Sequence, residues 1–137
     1  MIDDDVNLVN VVKMVFKSKG YKFSEAHSAT EGLEKITEVN PDLIILDVIM
    51  EDFVAGFRVV SELRTTEGDS KYSAYTKTPI LMLTSVTEKT RFDFNKHVGT
   101  SLLPVDAFVE KPVKPADLLA KVEELLQKAA RNLETDS

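Results

Sequence analysis

The stretch "PDLIILDVIM", residues 41–50, places four large apolar residues directly before an acid, Asp47. A short and continuously apolar run that contains two isoleucines is typical of a strand covered on both faces, as in a parallel sheet. The stretch therefore predicts a buried strand whose last residue carries a carboxylate. The chain also opens with three acids, Asp3, Asp4 and Asp5, after only two apolar residues.

Helical and strand patterns alternate on both sides of this stretch. Apolar residues at helical spacing predict a first helix that ends before Gly20, and "SATE" (residues 28–31) is a capping box that opens a second helix. The remaining predicted elements are a strand over 21–26, a third helix around 57–63, a polar loop over 65–78, strands over 79–84 and 106–110, a weaker helix over 88–97 and an amphipathic helix from Pro115 to about residue 132.

Strands that alternate with helices predict an α/β domain with helices on both faces of the sheet. We expect a doubly wound, five-stranded parallel sheet with a very short first strand. A strand order of 2-1-3-4-5 across the sheet would make this first strand a neighbour of the third, and the family resemblance given below implies that order and a truncated first strand. Residues 1–132 would form the domain and residues 133–137 a C-terminal tail. In such sheets ligands bind beyond the carboxyl ends of the strands, where the strand order reverses.

Composition excludes several classes of function. The 137 residues suit one domain, and 17 basic against 23 acidic side chains give a net charge of -6, so we expect no direct nucleic acid binding. The absence of Cys excludes a disulfide framework, a thiolate zinc site and a thiol nucleophile. No apolar run approaches the roughly 20 residues that span a bilayer, which predicts a soluble, cytoplasmic protein without membrane contact.

The acids at the strand ends predict a metal site. Asp47 ends one strand, and Asp3 and Asp4 stand where the short first strand would stop. If these strands are neighbours, the three carboxylates converge, and two such charges 4 Å apart repel by about 4 kcal/mol at an effective dielectric of 20. A hard divalent cation removes that repulsion, and Mg²⁺ suits a site with few carboxylates and several waters.

Two further residues should reach the same crevice. Thr84 ends the strand "PILMLT", and Lys111 follows the strand "DAFVE". A metal-bound acid, a hydroxyl and an ammonium can together bind a phosphoryl group and neutralise its oxygens. One carboxylate would then be the nucleophile. Asp47 is the best placed, because the other acids lie on one side of it and Thr84 and Lys111 on the other.

The motifs "IDDD", "PDLIILDVIM", "PILMLTS" and "EKP" occur in an order that resembles the response-regulator receiver domains of two-component signalling, which have the CheY-like fold. The resemblance covers nearly the whole chain. It implies that Asp3 and Asp4 bind Mg²⁺, that Ile49 offers the metal its backbone carbonyl, and that Asp47 is the phosphoacceptor. It also implies that Thr84 is the switch hydroxyl, that Lys111 forms an ion pair with the phosphoryl group, and that Phe108 is the switch aromatic.

The resemblance also implies a mechanism and partners. A phosphoryl group would pass from a phosphohistidine of a sensor kinase or phosphotransfer protein to Asp47, and a downstream protein would read the resulting change of conformation. The chain would catalyse only its own phosphorylation and dephosphorylation, so it is not an enzyme with a separate substrate. The last helix offers an edge for a homodimer.

The chain departs from the family pattern after Asp47. Glu51 stands where family members carry Pro, and Gly56 lies one position later than the usual Gly, which predicts one extra residue in the loop. Ile49 and Val86 occupy positions that tune phosphoryl lifetime in the family. Neither side chain can orient an attacking water, so we expect slow self-dephosphorylation.

Two other functions remain open from the sequence. A degenerate receiver could serve as a phosphorylation-independent interaction scaffold, which the short first strand and the altered loop favour. Mg²⁺ binding and the response of Asp47→Asn separate that alternative from a phosphoacceptor. A Mg²⁺-dependent phosphohydrolase with an aspartyl nucleophile is a more distant alternative, because its D-x-D pattern is absent around Asp47. His27 and His97 lack catalytic companions and are predicted to be surface residues.

Overall fold

The computed structural model describes residues 1–48, 55–65, 70–85 and 104–135 of the chain. The predicted helix over 88–97 lies outside these ranges. The described elements, in chain order, are α1 (Val6–Ser18), α2 (Ala29–Val39), β1 (Ile44–Asp47), α3 (Ala55–Leu63), a 3-10 helix (Ser73–Tyr75), β2 (Ile80–Thr84), β3 (Ala107–Glu110) and α4 (Pro115–Thr135).

The three strands form a parallel sheet of order β1-β2-β3, which confirms a parallel α/β fold. Beyond β1, Ile2 makes isolated parallel bridges to Leu46 on one side and to Ala26 on the other. Ile2 therefore lies between β1 and the segment 21–26. Because these outer positions are single-residue bridges, the five-stranded order and the truncated first strand stay predictions.

The core has two layers because successive side chains of a strand point to opposite faces. Leu46 and Met82 pack in a cluster with residues of α2 and α3, whereas Ile45 and Leu81 pack in a cluster with residues of α1 and α4. All residues of β1 and β2 are buried. The continuous apolar run in the sequence thus follows from helices that cover both faces of the sheet.

The predicted helix boundaries rest on local polar contacts. The Asp5 carboxylate accepts a hydrogen bond from the Leu8 amide at 3.1 Å, and the Ser28 hydroxyl accepts one from the Glu31 amide at 3.1 Å. Gly20 follows α1 with φ +87°, and Asn40 ends α2 with φ +50°. Both residue types tolerate the left-handed region, so the predicted end of α1 before Gly20 is confirmed, and α2 ends at Asn40.

The C-terminal helix α4 continues to Thr135, three residues past the predicted domain boundary at residue 132. The division into a domain and a tail stays a prediction. None of the helices in the four described ranges combines the length and the apolar character needed to cross a membrane.

The segment predicted as a polar loop over 65–78 is instead partly packed into the core where it is described. Tyr72 and Tyr75 are buried in the same cluster as α2 and α3. The Tyr75 hydroxyl donates a hydrogen bond of 2.5 Å to Asn40 Oδ1 at the end of α2. The two tyrosines are three residues apart, but no further apolar residue in the described part of the segment extends that spacing, so the sequence pattern did not assign them to the core.

Arg64, just after α3, joins this segment to the start of β3. Its guanidinium donates hydrogen bonds to the carbonyls of Thr76 at 2.8 Å and Pro104 at 2.9 Å, and to the Asp106 carboxylate at 3.1 Å. Burial lowers the pKa of Arg64, while the charge of Asp106 acts in the opposite direction. Asp106 in turn accepts a hydrogen bond from the Ile80 amide at 2.8 Å.

We expect Arg64→Met to lower the free energy of unfolding by about 2 kcal/mol, because several partly buried carbonyls lose their donor together. Urea unfolding measures the change. Lys128→Met, which replaces an exposed cation of α4, is the control and should change stability by less than about 0.5 kcal/mol. Equal stability of the two variants would show that the Arg64 contacts are energetically neutral.

Candidate functional site

Polar residues gather at one edge of the sheet. Asp47 is the last residue of β1, Thr84 is the last residue of β2, and Asp3 follows the Ile2 bridge. Because the strands are parallel, their carboxyl ends meet at this edge. Backbone hydrogen bonds fix the arrangement: the Asp47 amide donates to Ile2 O at 2.9 Å, and the Asp3 amide donates to Ala26 O at 3.0 Å.

The three predicted acids lie together. One carboxylate oxygen from each of Asp3, Asp4 and Asp47 lies within 4.8 Å of the others. Asp3 and Asp47 are only 0% and 4% exposed, whereas Asp4 is exposed to solvent. The side chain of Asp3 is oriented from within its own turn, since its Oδ1 accepts a hydrogen bond of 2.9 Å from the Asp5 amide.

Lys111 extends into this cluster from the end of β3. Its ammonium lies 2.9 Å from Asp3 Oδ2 and 3.5 Å from Asp47 Oδ2, and its amide donates to Thr84 O at 2.7 Å. Burial alone would lower the pKa of Lys111, but close contact with Asp3 and the charge of Asp47 outweigh burial and raise it. The ammonium therefore keeps its proton and offsets part of the negative charge.

Two buried oxygens at this edge have no hydrogen-bond donor or acceptor within the described residues, Asp3 Oδ2 and Thr84 Oγ1. The 2.9 Å contact of Asp3 Oδ2 with Lys111 is an ion pair without the alignment of a hydrogen bond. A buried carboxylate oxygen with free lone pairs, beside two further carboxylates, fits a hard divalent cation with oxygen ligands. The residues present thus fit Mg²⁺.

The loop after Asp47 is anchored at its far end by Gly56 in the first turn of α3. The Gly56 amide donates to Val48 O at 3.0 Å. A methyl group on Gly56 would lie 2.6 Å from Asp47 O and 2.7 Å from Val48 Cα. Glycine is therefore required by close approach of two backbones.

The remaining predicted residues divide into two groups. Phe108 is partly buried, pairs with Met82 across the sheet and packs against the cluster of α2 and α3. Ile49, Val86 and His97 lie outside the described residues, so the predicted backbone ligand and the predicted slow dephosphorylation stay predictions.

His27 contacts the site, although its sequence context predicts a surface residue. Its side chain is 34% exposed, its Nδ1 lies 3.2 Å from Asp3 O and its Nε2 lies 3.4 Å from Glu25 Oε2. Only the pairing of segment 21–26 with Ile2 brings His27 to Asp3. No local motif in the sequence could reveal that neighbour.

The fold and the site together define a class of protein: a parallel α/β domain with an acidic cluster, a hydroxyl and an ammonium at the carboxyl ends of its strands. Residues 1–123 match the family model described as the response regulator receiver domain, and the chain belongs to that family. Receiver domains are signalling modules rather than classical enzymes, and phosphorylation and Mg²⁺ are standard for them.

Curated relatives support the family. The chain is 28% identical over 131 residues to the transcriptional regulatory protein ResD of Bacillus subtilis, covering 96% of this chain and 48% of that protein. It is 27% identical over 128 residues to the DNA-binding response regulator MtrA of Mycobacterium tuberculosis, covering 93% of this chain and 50% of that protein. The chain thus spans about half the length of these relatives.

Solved structures agree with the fold. A CheY-like receiver domain protein from Methanospirillum hungatei is 26% identical with a TM-score of 0.73, covering 96% of this chain and 94% of that chain. NtrX from Brucella abortus has a TM-score of 0.78 at 20% identity, covering 98% of this chain and 28% of that chain, which shows the fold alone.

These relatives correct one expectation from the sequence. The net charge of -6 led us to expect partners that exclude nucleic acid, but MtrA is named as a DNA-binding regulator and ResD as a transcriptional regulator. The charge argument was wrong because it considers only the part that corresponds to half of such a protein. The charge of one part carries no information about what the other part binds.

Proposed function

We propose that this chain is a phosphoacceptor receiver, which accepts a phosphoryl group on Asp47 from a histidine kinase or a phosphotransfer protein. One observation carries the proposal: the buried carboxylate of Asp47 lies beside Asp3, Asp4 and the ammonium of Lys111. In this proposal residues 1–132 are the receiver domain, and it regulates a cytoplasmic response such as transcription, as the names of its relatives suggest.

The chemistry assigned to Asp47 is nucleophilic. A carboxylate oxygen of Asp47 would form a bond to phosphorus while the bond from phosphorus to the donor's imidazole nitrogen breaks, leaving its electron pair on that nitrogen. Asp47 belongs to a buried strand paired on both sides, which holds the carboxylate in place before reaction.

Asp3, Asp4 and Asp47 would hold Mg²⁺, with Ile49 as a further ligand through its backbone carbonyl. When bound, Mg²⁺ supplies positive charge that neutralises phosphoryl oxygens. The carboxylates of Asp3 and Asp4 would be ligands rather than nucleophiles. Asp3 Oδ1 accepts a hydrogen bond from the Asp5 amide and Asp3 Oδ2 lies nearer to Lys111 than Asp47 does, while Asp4 is exposed.

The switch would use groups that stand ready around Asp47. Lys111 would turn its ammonium from the carboxylates of Asp3 and Asp47 toward the phosphoryl oxygens. The buried hydroxyl of Thr84, which lacks a partner among the described residues, would donate a hydrogen bond to the same oxygens. Phe108 lies on the neighbouring strand β3, and movement of Thr84 at the end of β2 would be coupled to a change of the Phe108 rotamer.

The alternative of a phosphorylation-independent scaffold is not favoured, because the site retains its acids, its hydroxyl and its ammonium in contact or at adjoining strand ends. A scaffold with no phosphoryl chemistry has no use for a buried cluster of like charges, which costs free energy to maintain.

The proposal is tested by intact-mass spectrometry after incubation with acetyl phosphate. We expect one phosphoryl adduct on the wild-type chain in Mg²⁺, none with a chelator, and none on Asp47→Asn, because the amide is no longer a nucleophile. Asp117→Asn, which changes an exposed acid of α4, is the matched control and should still form the adduct. A folded wild-type chain that forms no adduct in Mg²⁺ would contradict the proposal.

A further inference from the structure

The imidazole of His27 contacts the backbone that joins two acids of the cluster. Its Nδ1 lies 3.2 Å from Asp3 O, the carbonyl oxygen of the peptide group between Asp3 and Asp4. The His27 side chain is 34% exposed, so this contact lies at the edge of the site rather than in its buried part. His27 thus contacts the cluster through a peptide group rather than through one of its carboxylates.

The atoms of this contact determine which group donates. A carbonyl oxygen can only accept a hydrogen bond, so Nδ1 must carry a proton. That condition is met both by the imidazolium and by the neutral ring with its proton on Nδ1. On the other side of the ring, Nε2 lies 3.4 Å from Glu25 Oε2, and Glu25 Oε1 is held at 2.6 Å by the Lys13 ammonium. Glu25 therefore holds the ring while Nδ1 donates to Asp3 O.

Asp3 and Asp4 differ in how their carboxylates are held. The Asp3 amide donates to Ala26 O at 3.0 Å, and Asp3 Oδ1 accepts from the Asp5 amide at 2.9 Å. Within the described residues, by contrast, no hydrogen bond reaches the exposed side chain of Asp4. The direction of the Asp4 carboxylate thus depends on its backbone. Because a peptide group is planar, rotation of the one before Asp4 would carry this carboxylate away from Asp47.

We propose that His27 is a positioning residue for the Mg²⁺ site. Its hydrogen bond to Asp3 O holds the peptide group between Asp3 and Asp4, and so keeps the Asp4 carboxylate within 4.8 Å of those of Asp3 and Asp47. This inference rests on the Mg²⁺ site of the proposed function. Hydrogen-bond partners that orient metal ligands contribute about 10–100-fold to metal affinity. His27 acts through a peptide group, so we expect the lower figure, about 10-fold.

A bond that only stabilises the fold would behave differently. Its loss would lower the free energy of unfolding by the same amount with and without Mg²⁺. The loss of a bond that positions a metal ligand also weakens Mg²⁺ binding, so a given Mg²⁺ concentration stabilises the variant less. The affinity for Mg²⁺ therefore separates the two roles.

The test compares His27→Leu, His27→Asn and His27→Gln by isothermal titration calorimetry with Mg²⁺, after urea unfolding in chelator has shown that each variant is folded. Leucine has no donor. The side-chain nitrogen of Asn is as many bonds from Cα as His Nδ1, whereas that of Gln corresponds to Nε2, which faces Glu25. We expect Kd for Mg²⁺ to rise about 10-fold in His27→Leu and His27→Gln, but by less than about 3-fold in His27→Asn.

The outcomes distinguish this inference from the proposed function. If the wild type binds Mg²⁺ and His27→Leu binds it equally well, the role of His27 is overturned and the phosphoacceptor function is untouched. A loss in His27→Asn as large as in His27→Leu would also overturn it. A wild-type chain that binds no Mg²⁺ would overturn the Mg²⁺ site and this inference together.

NMR of the imidazole nitrogens gives a readout that depends on neither Mg²⁺ nor phosphorylation. In chelator, we expect the nitrogen chemical shifts of the wild-type ring to show a proton on Nδ1, because Asp3 O accepts from it. A ring that carries its proton on Nε2 alone would overturn the proposal, since Nδ1 would then have nothing to donate.

Discussion

Replacement of Lys111 by Met is expected to lower the free energy of unfolding by about 3–5 kcal/mol in buffer without divalent cations. The ammonium of Lys111 lies within 4 Å of carboxylate oxygens of both Asp3 and Asp47. Its removal takes this positive charge away from two carboxylates whose side chains are only 0% and 5% exposed. The loss should therefore far exceed that of a surface ion pair, which is worth about 0–1 kcal/mol.

Mg²⁺ makes this prediction specific to the site. Saturating Mg²⁺ should restore much of the lost stability of Lys111→Met, because a bound cation neutralises the same carboxylates. The measurement is urea unfolding of the variant with Mg²⁺ and with a chelator. Lys114→Met, three residues away and exposed, is the control and should behave as the wild type in both buffers. If Lys111→Met is as stable as Lys114→Met without Mg²⁺, the ion pairs of Lys111 with Asp3 and Asp47 contribute nothing to the free energy of unfolding.

Gly56→Ala is the second large effect that we expect. Alanine is the better helix former by about 1 kcal/mol, so propensity alone predicts that this change in α3 stabilises the protein. Steric overlap reverses this expectation, because the new methyl would lie 2.6 Å from Asp47 O and 2.7 Å from Val48 Cα. Backbone at the end of β1 cannot move aside as a side chain can, so we expect a loss of about 3 kcal/mol.

The same variant should also affect phosphorylation. Relief of the contact requires Asp47 or α3 to shift, and a displaced nucleophile reacts more slowly, so we expect the rate with acetyl phosphate to fall at least about 10-fold. Gly20→Ala, just after α1, is the control, because its methyl would meet no atom within 4 Å. Its φ of +87° costs a side chain about 1–2 kcal/mol, so the loss should stay below about 2 kcal/mol and the rate of phosphorylation should not change. Similar losses for the two variants would contradict this account.

Much of the site could be predicted from the sequence because the ends of its strands can be located from local patterns of apolar and polar residues. The run that ends in Asp47, the strand that ends in Thr84 and the residue that follows "DAFVE" each carry their chemistry at a fixed place in a local pattern. In a parallel sheet that place is the same edge for every strand, so a local pattern predicts a distant contact. The contacts of Lys111 with Asp3 and Asp47 agree with that expectation.

The residues that the sequence did not reveal share a physical reason. Each of these residues contacts a partner that is 24 or more positions away in the chain. Tyr75 contacts Asn40, Arg64 contacts Asp106 and His27 contacts Asp3. Arg64 and His27 lie just outside the ends of helices, and Tyr75 ends a single 3-10 turn. Periodicity reports which face of a regular element is buried, and it carries no signal for a side chain that acts from an irregular segment.

By itself the sequence determined the order of α1 to α4 and β1 to β3, the cap at Ser28, and Asp47 and Thr84 as the polar ends of β1 and β2, because these depend on side chains close in the chain. Only the tertiary structure decided that Ile2 would bridge two neighbours and that Gly56 would lie against the backbone of Asp47 and Val48. Those features arise from the close approach of segments far apart in sequence, and a local pattern contains no distances between segments.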